Sequence, residues 1–228
     1  MPILAAIGVF LVLALAFGPT WWIRRVLKTH GVDRPDLPGT GGEFARHLLD
    51  EANLTDVKVE VTDRGDHYDP ASRAVRLLRQ HHDGRSVAAV AIAAHEVSHA
   101  IQDACGERAF RRRVSLVGNL IWVQRLATAV LVTAPLVFAV LHAPSLMVLQ
   151  IVSAVALMGI SVAVHVVTLP VEFDASFGKA LPVLEGRRYL AAAEDMPAAR
   201  AVLKAAAYTY VAAALATLLN IARWFRIF

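Results

Sequence analysis

Between Arg125 and Glu172 the chain runs for 46 residues without a Lys, Arg, Asp or Glu. A helix needs about twenty apolar residues to cross the hydrocarbon core of a bilayer, so this interval holds two spans and is too oily for a solvated face. His142, Ala143, Pro144 and Ser145 supply the turn that divides it. Pro135 falls inside the first span and Pro170 is predicted to end the second. Both are tolerable where neighbouring helices satisfy the freed carbonyls. Starting the first span near Val114 lets Arg125 snorkel to the interface.

Two other segments are apolar enough to matter. Pro2 to Ile23 carries no charge and runs into Trp21, Trp22, Arg24 and Arg25, an aromatic and basic interface anchor. Without a positive leading region or a cleavage site it reads as an uncleaved anchor rather than a signal peptide. Ala205 to Ala222 is uncharged, alanine-rich and only 18 residues long, so it either spans or packs against the others. Composition agrees: 57% apolar and 18% charged residues exclude an ordinary cytosolic globule. A net charge of +4 with 7% aromatics offers no nucleic-acid platform. Cys105 is the sole cysteine, which excludes an internal disulfide and leaves any metal to His, Asp or Glu.

Basic residues orient the spans, because Lys and Arg near span ends stay on the cytoplasmic side. Arg24, Arg25 and Lys28 follow the first span, Arg108, Arg111, Arg112 and Arg113 precede the second, and the turn around His142 has no Lys or Arg. The segments Arg24 to Arg113 and Val171 to Lys204 are therefore expected together on the cytoplasmic face of a cell membrane of bacterial type. Arg223 and Arg226 disagree if the last segment spans. The resulting organisation is an anchor (1–23), a cytoplasmic region (24–113), a transmembrane hairpin (114–168), a further cytoplasmic stretch (169–204) and a C-terminal apolar helix (205–228).

Within the polar region, Asp36 to Gly42 reads as a linker, and Glu43 to Ala52 as a helix with Phe44, Ala45, Leu48 and Leu49 on one side. Val57, Val59 and Val61 alternate with polar residues as a half-buried strand does. Asp63 to Pro70 is rich in turn residues, and Ala74 to Leu78 is a second strand, expected to pair antiparallel with the first. His81 and His82 read as solvated loop residues. A helix then starts after Asp83 and Gly84 with Ser86 as N-cap and stops near Gly106.

That helix carries His95-Glu96-Val97-Ser98-His99. Histidines four apart share a helix face, so both imidazoles can reach one Zn2+ at about 2.0–2.1 Å. Glu96, between them, is placed to take a proton from a water activated by the metal. A catalytic zinc needs a third protein ligand. His165, His67, Glu172 and Asp174 are the candidates; Glu172 is preferred because it emerges on the same side as the histidines. An interfacial carboxylate paired with Lys179 or Arg187 explains Glu172 nearly as well from pattern alone.

The runs Asp66-His67-Tyr68-Asp69-Pro70, Val75-Arg76-Leu77, Ala93 to Gln102 and Leu169-Pro170-Val171-Glu172-Phe173 resemble the YugP-like neutral zinc metallopeptidases. The resemblance covers nearly the whole chain, from the leading apolar segment through Gly41 to the stretch Ala206 to Leu215. It implies a mainly α membrane protein with a gluzincin-like α+β catalytic region. It also implies His95, His99 and Glu172 as zinc ligands, with Glu96 as the base in peptide hydrolysis. Substrates would be peptides or proteins, membrane and misfolded proteins among them, met beside membrane lipid and without nucleic acid. More distant membrane gluzincins take their third ligand from the first Glu of a Glu-Phe-x-Ala-Asp motif. Here Ser176 stands where they have Asp, leaving Asp174 to substitute for that supporting carboxylate. His67 or Tyr68 is a candidate oxyanion donor, and Arg73 to Leu78 a candidate edge strand for substrate. Three other readings compete: an inactive metal-binding membrane protein with a regulatory role, a transporter, and a site-2-type intramembrane protease. Arg85, Asp103 and Glu107 bracket the zinc-motif helix too closely for that last reading.

Overall fold

The computed structural model describes residues 2–186, 189–190 and 194–215, with side chains over the same residues except 2–13, 15 and 16. The described chain is mainly helical, with one small sheet. It divides into two compact units. One comprises Met1–Gly18, Arg112–Thr168 and Tyr210–Phe228; the other comprises Pro19–Arg111 and Leu169–Thr209.

The second unit is built around α4 (Val87–Ala104). Ser86 caps it as its sequence predicts, its hydroxyl accepting from the Ala89 amide at 3.0 Å. Ala88, Ala89, Ala91 and Ala93 are fully buried; such small side chains let neighbours close on a helix from every side. Those neighbours include α2 (Gly41–Glu51), α3 (Arg79–His82), α7 (Leu181–Gly186) and α8 (Asp195–Ala207). α2 opens with a capping box in which Thr40 and Glu43 each accept from the other's amide. α4 stops where Gly106 adopts φ +66°. There the Gly106 amide donates to Asp103 O at 2.8 Å and the Glu107 amide to Gln102 O at 3.0 Å, the paired bonds of a Schellman stop.

Three strands cover part of α4: β1 (Lys58–Thr62), β2 (His67–Asp69) and β3 (Ala74–Leu78), in the order β1-β3-β2. The two strands expected to pair antiparallel, β1 and β3, run parallel, with Lys58 opposite Ala74 and Thr62 opposite Leu78. The antiparallel partner of β3 is β2, hidden in the turn-rich segment. β3 takes the centre because it has the most to bury: Ala74, Val75 and Leu77 are fully enclosed. The strand expected to offer a free edge to substrate is thus flanked on both sides, and the edges of the sheet are β1 and β2. His81, expected in solvent, is buried, its Nδ1 at 2.8 Å from Asp66 Oδ2. Asp66 also accepts from the Leu78 amide.

Among the described residues two helices are long and apolar enough to cross a membrane. They are α5 (Arg108–Leu141) and α6 (Pro144–Phe173), joined at His142 and Ala143 with His142 at φ +47°. Trp122, Leu136, Val140, Leu149 and Val152 are each more than half exposed. A soluble core helix does not leave such a surface bare. α6 does not end at Pro170: it continues to Phe173 and into a π-helix, Asp174–Ala180. The leading helix α1 runs Pro2–His30. The apolar helix expected over 205–222 does not begin at Ala205, which lies in the last turn of α8. A turn at Tyr208 interrupts the chain before helix resumes over 209–215, and the remainder lies outside the described residues.

Candidate metal centre

His95 and His99 project from one face of α4, their ring centroids 4.8 Å apart. Glu172, from the end of α6, meets them: its Oε2 is 3.2 Å from His95 Nε2 and 3.4 Å from His99 Nε2. One ligand atom from each of the three residues lies within 4.8 Å of the others, and all three side chains are buried. Atoms about 2.05 Å from a shared centre at the tetrahedral angle lie about 3.3 Å apart. The two separations straddle that edge length.

The far sides of the imidazoles fix which nitrogen carries the proton. Ser176 Oγ donates to Leu203 O at 3.1 Å, so it accepts from His95 Nδ1–H at 3.0 Å. Gln102 Nε2 donates to Val171 O at 3.1 Å and to Asp174 Oδ2 at 2.8 Å. Its carbonyl oxygen is thereby turned to accept from His99 Nδ1–H at 2.8 Å. Both neutral rings then direct Nε2 lone pairs at a carboxylate oxygen. Three ligand atoms converging in a buried space suit a cation, and a two-His, one-carboxylate set with about 2 Å reach suits Zn2+. Glu96, 6% exposed, sits on α4 between the two histidines.

The other candidates lie elsewhere. Lys179 pairs with Asp174, and with Glu107 at 2.8 Å, rather than with Glu172; Arg187 is outside the described residues. Burial acts to raise the Asp174 carboxyl, but hydrogen bonds from Lys179 and Gln102 outweigh it and hold it below the ordinary carboxylate range. Asp174 supports His99, but through Gln102 rather than directly. His67 is held in its turn by Nδ1–H donation to Gly65 O at 2.8 Å. The Tyr68 hydroxyl donates to Asp103 at 2.9 Å, and burial together with that carboxylate pushes it well above the usual phenol range. The Phe110 ring stacks with both Tyr68 and His99. Neither Tyr68 nor His67 is thus offered as a free donor by these bonds. His165 belongs to the other unit and packs edge-on against Tyr210.

The sequence pattern alone assigns Gln102 no role. The signal was available: a glutamine three residues after His99 lies one helical turn along the same face.

The profile of the family described as "Putative neutral zinc metallopeptidase" matches residues 5–228. The protein described as "Putative membrane protease YugP" from Bacillus subtilis (strain 168) is 36% identical over 232 residues, covering 96% of each chain. No solved structure matches. With a matched profile over nearly its full length and a buried His-His-Glu cluster suited to zinc, the chain belongs to this zinc metallopeptidase family.

Proposed function

We propose that the protein is a membrane-embedded, zinc-dependent peptidase that hydrolyses peptide bonds, with His95, His99 and Glu172 holding the metal and Glu96 as general base. One observation carries the reading: three buried donors at tetrahedral spacing, both histidines presenting Nε2, on a helix whose intervening residue is a glutamate. Bound zinc would supply Lewis acidity, making a water acidic near neutral pH and polarising the substrate carbonyl. Glu96 takes the attacking water's proton and later delivers it to the leaving amine, so one carboxylate serves as base and then as acid. A purely structural metal site needs the ligands and has no use for Glu96.

The bare apolar faces of α5 and α6 support insertion in lipid. Arg24, Arg25, Lys28, Arg108, Arg111 and Arg112 are exposed, and under the positive-inside rule they favour a cytoplasmic catalytic region. Substrates are then peptides or proteins reachable from that face, membrane and misfolded proteins among them. The test is Glu96→Gln in detergent-solubilised protein. It should keep one zinc per chain and lose hydrolysis of an unfolded protein by at least about 10²-fold. Undiminished hydrolysis would remove Glu96 from the reaction, and absence of zinc from the wild-type protein would end the metal reading.

A further inference from the structure

The geometry points to Gln102 and Asp174 as a coupled positioning pair that aims two of the three metal ligands, Gln102 acting directly and Asp174 through it. This rests on the zinc site proposed above.

Gln102 is completely buried, and each of its side-chain bonds bears on a ligand. Its carbonyl oxygen accepts from His99 Nδ1–H, which leaves Nε2 as the coordinating nitrogen. Its amide nitrogen holds the carbonyl of Val171, the residue before Glu172. The same nitrogen donates to Asp174, so the amide cannot turn over without facing two acceptors with an oxygen. One side chain therefore sets the ring of His99 and the backbone that delivers Glu172. The Schellman stop fixes its place, since Gln102 O is the acceptor closing α4.

Asp174 opens the π-helix. The wider π turn brings residues five apart together, and Lys179 accordingly bonds Asp174. A Cβ on Gly178 would meet Asp174 Oδ1, so a larger residue there would oblige that carboxylate to shift. Lys179 also holds Glu107, just past the end of α4. The chain of contacts runs from the buried ring of His99 through Gln102 and Asp174 to Lys179.

Partners that orient a ligating histidine typically contribute 10- to 100-fold in metal affinity. The experiment measures zinc affinity by chelator competition, and the visible absorption of the cobalt-substituted protein, for wild type, Gln102→Leu, Asp174→Asn and the double variant. Gln102→Leu should bind zinc about 10- to 100-fold more weakly and shift the cobalt bands, a signature that a loss of packing alone does not move. Asp174→Asn should weaken zinc several-fold in wild type and have no added effect in the Gln102→Leu background, since Asp174 acts through Gln102. Additive losses, or unchanged affinity and cobalt bands in Gln102→Leu, would overturn the proposal while leaving the zinc site standing. Wild-type protein that takes up no zinc would sink both. Should Gln102→Leu fail to fold, Asp174→Asn decides alone: unchanged zinc affinity in a protein whose metal-free unfolding matches wild type overturns the pairing.

Discussion

Ser176 shows how much one hydroxyl can settle. Its proton is committed to Leu203 O, so its lone pair faces His95 Nδ1–H, and the ring has one tautomer left to present. Ser176→Ala removes that acceptor and the hydroxyl's own bond to the Leu203 carbonyl. Zinc affinity is expected to fall about tenfold, with about 1–2 kcal/mol lost from folding, measurable by chelator competition and by thermal unfolding without metal. An unchanged affinity would show that packing alone holds the ring. Glu172→Ala is expected to do more, lowering zinc content at saturation, because it deletes a donor rather than its support. The histidine pair was legible from i, i+4 spacing, and Glu172 from the side of the membrane expected for it and from family resemblance. The aiming of the rings was not legible. The Gln102 to Asp174 bond spans 72 positions and falls at the start of a π turn that nothing in local periodicity announces.

The same contrast holds for whole elements. α4 was legible because a capping residue and an apolar stripe state a helix locally, and α2 from its apolar stripe alone, its Thr40 cap lying in the stretch read as linker. Ser86→Ala should accordingly cost about 1 kcal/mol, within the usual 0.5–2 kcal/mol for a lost N-cap, read as a lower unfolding midpoint with zinc stoichiometry intact. Strand pairing was misread because β2 is three residues long and sits among turn residues, and partner choice depends on which strand buries most. Arg76 on the central strand clips both edges, bonding Glu60 at 3.0 Å and Asp69 at 2.8 Å. Hydrogen bonding from Ser72, aided by the Ala71 amide and Arg76, holds the Asp69 carboxyl below the ordinary carboxylate range despite burial. A folded-state value below the unfolded one means stability that is fully present above about pH 4 and is lost as pH falls through the folded value. The metal-free wild type should therefore unfold at higher temperature than Asp69→Asn near neutrality, and the gap should close in acid. A gap that persists at pH 2 would assign Asp69's contribution to shape rather than charge.

At the scale of the molecule, the apolar spans were the most legible feature, since about twenty oily residues have few other uses in water. Orientation is a different matter: it rests on where Lys and Arg sit beside the spans and on no contact within the fold. The chain contains its own reporter for this. Cys105 is the only cysteine and is exposed at the end of α4, three residues before α5 begins. Ser145, exposed in the first turn of α6, lies beyond α5 in the connection without basic residues. A membrane-impermeant maleimide should leave Cys105 unlabelled in right-side-out vesicles and label it in inverted ones. Ser145→Cys in a Cys105→Ser background should give the reverse pattern. Labelling of Cys105 from the outside would place the catalytic region on the opposite face, restricting substrates to extracytoplasmic proteins. Equal behaviour of the two cysteines would mean that α5 does not cross the membrane, and lipid would then have to be replaced by another cover for its bare apolar face. A crossed pattern is expected, because the exposed Arg108, Arg111 and Arg112 favour retention of their end of α5 on the cytoplasmic side, while the segment around Ser145 contains no Lys or Arg.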